Sequence, residues 1–133
     1  MMHFLASVGA FALYLAVSVL LLGAYAYLYS CTTPHDEIAL IRKGNASAAF
    51  GYGGALIGFA IVVSRAIGFS EHVGEVVVWG LIGLVVQVAG HWLLSRAFPR
   101  LYSAIEEGDL GAGFMKAGVA ISLGLVNAAS MAP

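Results

Sequence analysis

A chain of 133 residues that is 61% hydrophobic and 10% charged, with a mean hydropathy of +0.94, carries more apolar side chain than one small soluble core can hide. Its six Lys/Arg and seven Asp/Glu give a net charge of −1 without a basic cluster, which argues against a nucleic-acid partner. The single cysteine, Cys31, excludes an internal disulfide. The composition is that of a polytopic membrane protein in one domain, with the lipid bilayer as its main surroundings.

The first predicted span runs from Phe4 to Tyr29 without a charge, roughly 39 Å of helix and enough to cross a bilayer with some tilt. A cleaved signal peptide is the rival reading, but Met1-Met2-His3 lacks Lys or Arg and the apolar run is too long, so a retained helix is expected. Tyr25, Tyr27 and Tyr29 crowd its end like an interfacial belt, and Tyr14, Ser18 and Tyr25 make a weak polar face. Cys31 to Lys43 reads as a polar loop. The second span covers about Asn45 to Ile67, with Asn45 as N-cap. Arg65 near its far end is expected to pair with Glu71 or Glu75 across a short turn. The third span covers about Glu75 to Leu94, with Trp79 and Trp92 near the two interfaces. Ser95 to Glu107 reads as a third loop, and the fourth span runs from about Asp109 to Ala129.

The second span shows how these helices meet. Gly44, Ala48, Gly51, Ala55 and Gly58 follow a four-three spacing that draws one stripe down a helix, with Gly54 beside it. In lipid, small residues on one face let a neighbouring helix approach closely, and packing holds the pair. Gly80 and Gly83 continue the theme in the third span, and Gly113, Ala117, Gly118 and Gly124 in the fourth. The loops on one side carry Arg42, Lys43, Arg96 and Arg100, against Arg65 on the other, so the positive-inside rule predicts that those loops are cytoplasmic and both termini periplasmic.

Sliding the chain by 64 residues aligns IRKGNASAAFGYGG from Ile41 with IEEGDLGAGFMKAG from Ile105 without a gap. Two hairpin repeats follow, about 4–67 and about 75–131, entering from the same side and therefore parallel. The expected fold is an all-α membrane protein of four transmembrane helices arranged as two such repeats.

Two hairpins, each with Ile-x-x-Gly-Asn/Asp leading into an Ala/Gly-rich helix, resemble the YjfL-like inner-membrane proteins, a bacterial family of unknown function. Gly44-Asn45-x-x-Ala48-Ala49 carries the resemblance best, followed by Gly53-Gly54-x-x-x-Gly58, and it covers nearly the whole chain. The family pattern often repeats Gly-Asn in the second hairpin, so Asp109 departs from it. The resemblance implies a bacterial cytoplasmic membrane and supplies no reaction or site residues.

Polar residues inside the spans form the candidate path: Asn45, Gln87, His91, Asp109, Lys116 and Asn127. On a helical wheel Asp109, Lys116 and Asn127 fall within about 20° of one direction. Ionisable groups at membrane depth are costly and suggest function by default. Against that, Lys116 lies close enough to the cytoplasmic end to snorkel or to pair with Asp109. Gln87 is expected to find a partner on another helix, and His91, one turn from the cytoplasmic end, to sit at the interface or relay protons. No phosphate-binding loop, nucleophile elbow or zinc pair is present, and the four histidines lack ligand spacing. No enzyme, cofactor or metal is expected. Two functions compete, and the first is favoured because snorkelling explains Lys116 without any substrate. One is an oligomeric scaffold or accessory subunit, a homo-oligomer packed through glycine seams with a membrane or cytoplasmic protein partner. The other is a small channel or transporter lined by Asp109, Lys116, Gln87 and His91.

Overall fold

The computed structural model describes residues 1–131, and every regular element among them is helical. In chain order these are α1 (Met2–Thr32), α2 (Glu37–Arg42), α3 (Ala46–Phe69), α4 (Val73–Ala97), α5 (Pro99–Glu106) and α6 (Leu110–Ser130). The four long ones are apolar enough to cross a membrane, as the sequence predicts. The two short ones occupy the first and third connections, which the sequence reading leaves as loops. Their start signals are local: Asp36 caps α2 by accepting from the Ala39 amide at 3.1 Å, and Pro99 supplies a preset φ in the first turn of α5.

Both short helices end in the same turn. The amides of Gly44 and Asn45 bond to the carbonyls of Ile41 and Leu40, and those of Gly108 and Asp109 to Ile105 and Ala104, all within 3.0 Å. Gly44 and Gly108 sit at φ +87° and +88°, the left-handed conformation that closes a Schellman turn. Gly44 therefore belongs to the turn and not to the packing stripe, which corrects its placement in the sequence reading. Replacing Gly44 or Gly108 by alanine is expected to cost about 1–2 kcal/mol each, because a Cβ strains this conformation even in open space. Detergent-unfolding midpoints of the two single variants check this, and no loss at either site would contradict it.

Beyond those turns α3 and α6 run side by side in the same direction. Asn45 reaches Ile105 at one end, Phe50 stacks on Phe114 with centroids 4.5 Å apart, and Arg65 reaches the carbonyl of Met131 at the other. Small residues make the approach possible: Gly54 abuts Ala117, Gly113 abuts the Ser47 backbone, and Gly58 lies against Ala120 and Gly124. Ala48 and Ala55 are buried on the same face. Gly118 is exposed with nothing near its missing Cβ, so it stands outside the seam to which the sequence reading assigns it. On α4, Gly80 admits Leu21 of α1, and Gly83 admits Val62 and Met131. Tyr25 of α1 stacks on Phe59 of α3 at 4.7 Å to close the core. The helices α2 and α5 lie together at one end of the bundle, and α1 begins and α6 ends at the other.

Arg65 makes no ion pair with Glu71 or Glu75. Its guanidinium lies 5.1 Å from the Phe69 ring centroid and donates to the Met131 carbonyl at 3.4 Å, while Glu75 accepts from the Glu71 amide and approaches His72. The carbonyl of Met131, the residue that caps the end of α6, offers the acceptor instead.

Candidate functional site

The most polar part of the interior lies at the α2/α5 end, where five helices converge on one ammonium. Lys116 is 1% exposed. Gly51, whose absent Cβ would stand 3.1 Å from the lysine Cδ, leaves a slot for its stem, so the neighbour of Gly51 is this side chain and not a helix backbone. The ammonium bonds to Glu37 at the start of α2 and lies 4.7 Å from the Tyr29 ring centroid and 5.0 Å from that of Tyr102. An ion pair removed from water is retained only with further hydrogen bonds around it. Tyr29 supplies one, donating its hydroxyl to the same Glu37 oxygen at 3.0 Å.

These contacts overturn two expectations for Lys116. It neither snorkels to the surface nor pairs with Asp109. The Asp109 carboxylate turns back on its own helix, accepting from the amides of Gly111 at 2.9 Å and Ala112 at 3.4 Å, and it is exposed. Asn45 likewise caps α3 by accepting from Ala48 at 3.0 Å, and its amide nitrogen donates across to the Ile105 carbonyl at 2.8 Å. Neither residue lines an internal path. Asp109 has no donor with which to return that second bond.

His91 is buried rather than interfacial. Thr33 donates its hydroxyl to the Tyr29 carbonyl at 2.7 Å, so it accepts from His91 Nε2 at 3.2 Å. That fixes a neutral tautomer whose Nδ1 accepts from the Tyr102 hydroxyl at 3.0 Å. Burial first, and then the charge of Glu37, raise the Tyr102 phenol above its ordinary range, which keeps it a donor. A cavity of about 20 Å³, large enough for one water, adjoins Lys116 between Tyr25, Tyr29, Gln87 and His91. Beyond it Gln87 donates to the Ala120 carbonyl at 3.3 Å, and Asn127 donates to Gln87 at 3.3 Å and to the Gly83 carbonyl at 3.0 Å. Gln87, His91, Lys116 and Asn127 thus share one polar core. Among the described residues no three His, Cys, Asp or Glu side chains converge as a metal site would need.

Sequence reasoning missed Glu37, Tyr29, Tyr102 and His35. Glu37 is 3% exposed although it stands in what reads as a soluble loop. The available signal was Asp36 as an N-cap followed by Ile38 and Ile41 three apart, which marks a short helix packed against the bundle.

Burial pushes the Glu37 carboxyl up, but the His35 ring and the Lys116 ammonium outweigh it and hold the group below its ordinary value of 4.5. The unfolded chain then takes up a proton first as pH falls. Stability from this group is complete above pH 4.5 and declines as pH drops through the lower, folded value. Detergent unfolding followed by tyrosine and tryptophan fluorescence should show that acid-side loss, and Glu37→Gln should flatten it. An equal slope in the variant would assign the loss to other carboxylates.

Four apolar helices closed around a buried ion pair define a multi-pass membrane protein. The chain belongs to the family described as Domain of Unknown Function (DUF350), which matches residues 2–131. It is 32% identical over 130 residues to UPF0719 inner membrane protein YjfL of Escherichia coli, covering 98% of each chain. It is 26% identical over 122 residues to UPF0719 transmembrane protein YshE of Bacillus subtilis, covering 90% of this chain and 91% of that one. No solved structure matches. The family is the one that the Gly-Asn hairpin motif resembles.

Proposed function

We propose that this chain is a non-enzymatic protein of the bacterial inner membrane whose four-helix core conducts protons, with the α2/α5 end cytoplasmic and both termini periplasmic. The observation that carries the reading is the Glu37–Lys116 pair, sealed among Tyr29, His91 and Tyr102 and continued inward by Gln87 and Asn127. Ionisable groups at this depth are expensive, and a purely structural bundle of this size could fill the same space with apolar side chains. The inner-membrane relative and the excess of Arg42, Lys43, Arg96 and Arg100 on one side support the location and orientation. The matching Gly44 and Gly108 turns support duplication of one hairpin.

The alternative is the homo-oligomeric scaffold or accessory subunit with a protein partner. Snorkelling of Lys116 would favour it, but that side chain is buried, and the seam glycines Gly54, Gly58, Gly113 and Gly124 are occupied within the chain. The conducting reading is therefore preferred. Full-length protein in liposomes loaded with a pH-sensitive dye, under an imposed potential, should pass protons, and Lys116→Leu should abolish the flux. Absence of flux from the wild-type protein would return the scaffold to first place.

A further inference from the structure

The ion pair needs a route to water, and His35 stands where one would be. Its side chain is only 5% exposed, and neither ring nitrogen has a hydrogen-bond partner. The ring lies between two carboxylates. Nε2 is 3.6 Å from Glu37 Oε1 on the buried side, and Nδ1 is 3.3 Å from Glu106 Oε1 on α5, whose side chain is half exposed. Tyr102 flanks the ring at 5.8 Å between centroids. The second oxygen of Glu37, Oε2, is also buried without a partner. A groove lined by Tyr27, Cys31, Thr33 and Asp36 reaches His35 and Glu37 from outside, whereas the cavity beside Lys116 touches neither of them.

We propose that His35 is the proton-binding port of this protein, taking protons at Nδ1 from the Glu106 side and passing them from Nε2 to Glu37. The inference deepens the conducting reading and rests on it. Imidazole is the side chain whose charge changes most readily between pH 5 and 8, and its two nitrogens can hold a proton for two different neighbours. In the resting state the neutral ring carries hydrogen on Nε2. A proton from water, gathered at Glu106, binds Nδ1 and makes the imidazolium. The N–H bond at Nε2 then breaks as an O–H bond forms on Glu37, which leaves a neutral ring with hydrogen on Nδ1, and rotation of the ring brings that hydrogen round to the Glu37 side. The groups that bias this step are Glu37 from α2, Glu106 and Tyr102 from α5, Tyr29 from α1, His91 from α4 and Lys116 from α6. The Lys116 ammonium holds Glu37 ionised until the transfer.

The test uses the full chain. In dye-loaded liposomes His35→Gln, which keeps a polar side chain of similar reach but cannot titrate, should lower proton flux roughly tenfold or more. Unchanged flux in that variant, where the wild type conducts, overturns the port and leaves conduction standing. If the wild type itself passes no protons, conduction falls, and the port is decided by infrared titration of the Glu37 carboxylate in nanodiscs. There His35→Gln should move the Glu37 midpoint upward, because the ring that helps hold that carboxylate ionised is lost. A midpoint that stays in place overturns the port. Should His35→Gln fail to fold, Glu106→Gln at its exposed position should still lower flux several-fold, and equal flux would overturn the port by itself.

Discussion

Lys116→Met is expected to destabilise the protein by about 3–5 kcal/mol, because it strands the Glu37 carboxylate among Tyr29, His35 and Tyr102 without its cation. Glu37→Gln should cost a similar amount by leaving the ammonium against two aromatic faces. The double variant Glu37→Gln with Lys116→Met removes both charges and should recover most of the loss. Unfolding in mixed micelles, run as a double-mutant cycle, reads the coupling directly. Independent, additive losses would mean that the two groups do not hold each other in place.

A second large effect is expected at the α3/α6 seam. Alanine at Gly124 would drive its Cβ into the Gly58 backbone, and alanine at Gly58 into the Ala120 carbonyl. Backbone cannot rotate away as a side chain can, so each change must push the helices apart. About 1–3 kcal/mol per substitution is the expected loss, and more where the displacement reaches the Gln87–Asn127 bond. Gly53→Ala and Gly118→Ala meet nothing within 4 Å and should leave stability unchanged. That contrast is what the experiment measures, since all four positions are helical glycines and differ only in what lies opposite. Four equal losses would refute the seam.

The seam was legible in the sequence because it repeats. A four-three spacing of small residues can only describe one helix face, and the 64-residue offset aligned Phe50 with Phe114, which stack in the fold. Asn45 and Asp109 were legible as helix starts because capping is a local interaction. The ion pair was not. Glu37 and Lys116 stand 79 positions apart, and nothing in the spacing of either helix names the other. A helical wheel put Asp109 on the lysine's face, but a capping residue lies outside the helix it begins, and its carboxylate is spent on the first amides. His91 was misplaced for a related reason. Counting turns from the end of α4 gives depth along that helix, but α5 folds back over it and supplies Tyr102 as a cover.

The parallel course of α3 and α6 has an electrostatic consequence. Each helix carries about half a positive charge at its N-terminus and half a negative one at its C-terminus, and two that start side by side add theirs. The carboxylates of Asp109 and Glu37 gather at the shared positive end, and the guanidinium of Arg65 reaches the last carbonyls at the negative one. Because α1 and α4 run the opposite way, the macrodipoles cancel at a distance. What remains is a short-range field along the seam, with its positive pole beside the charges buried at the α2/α5 end.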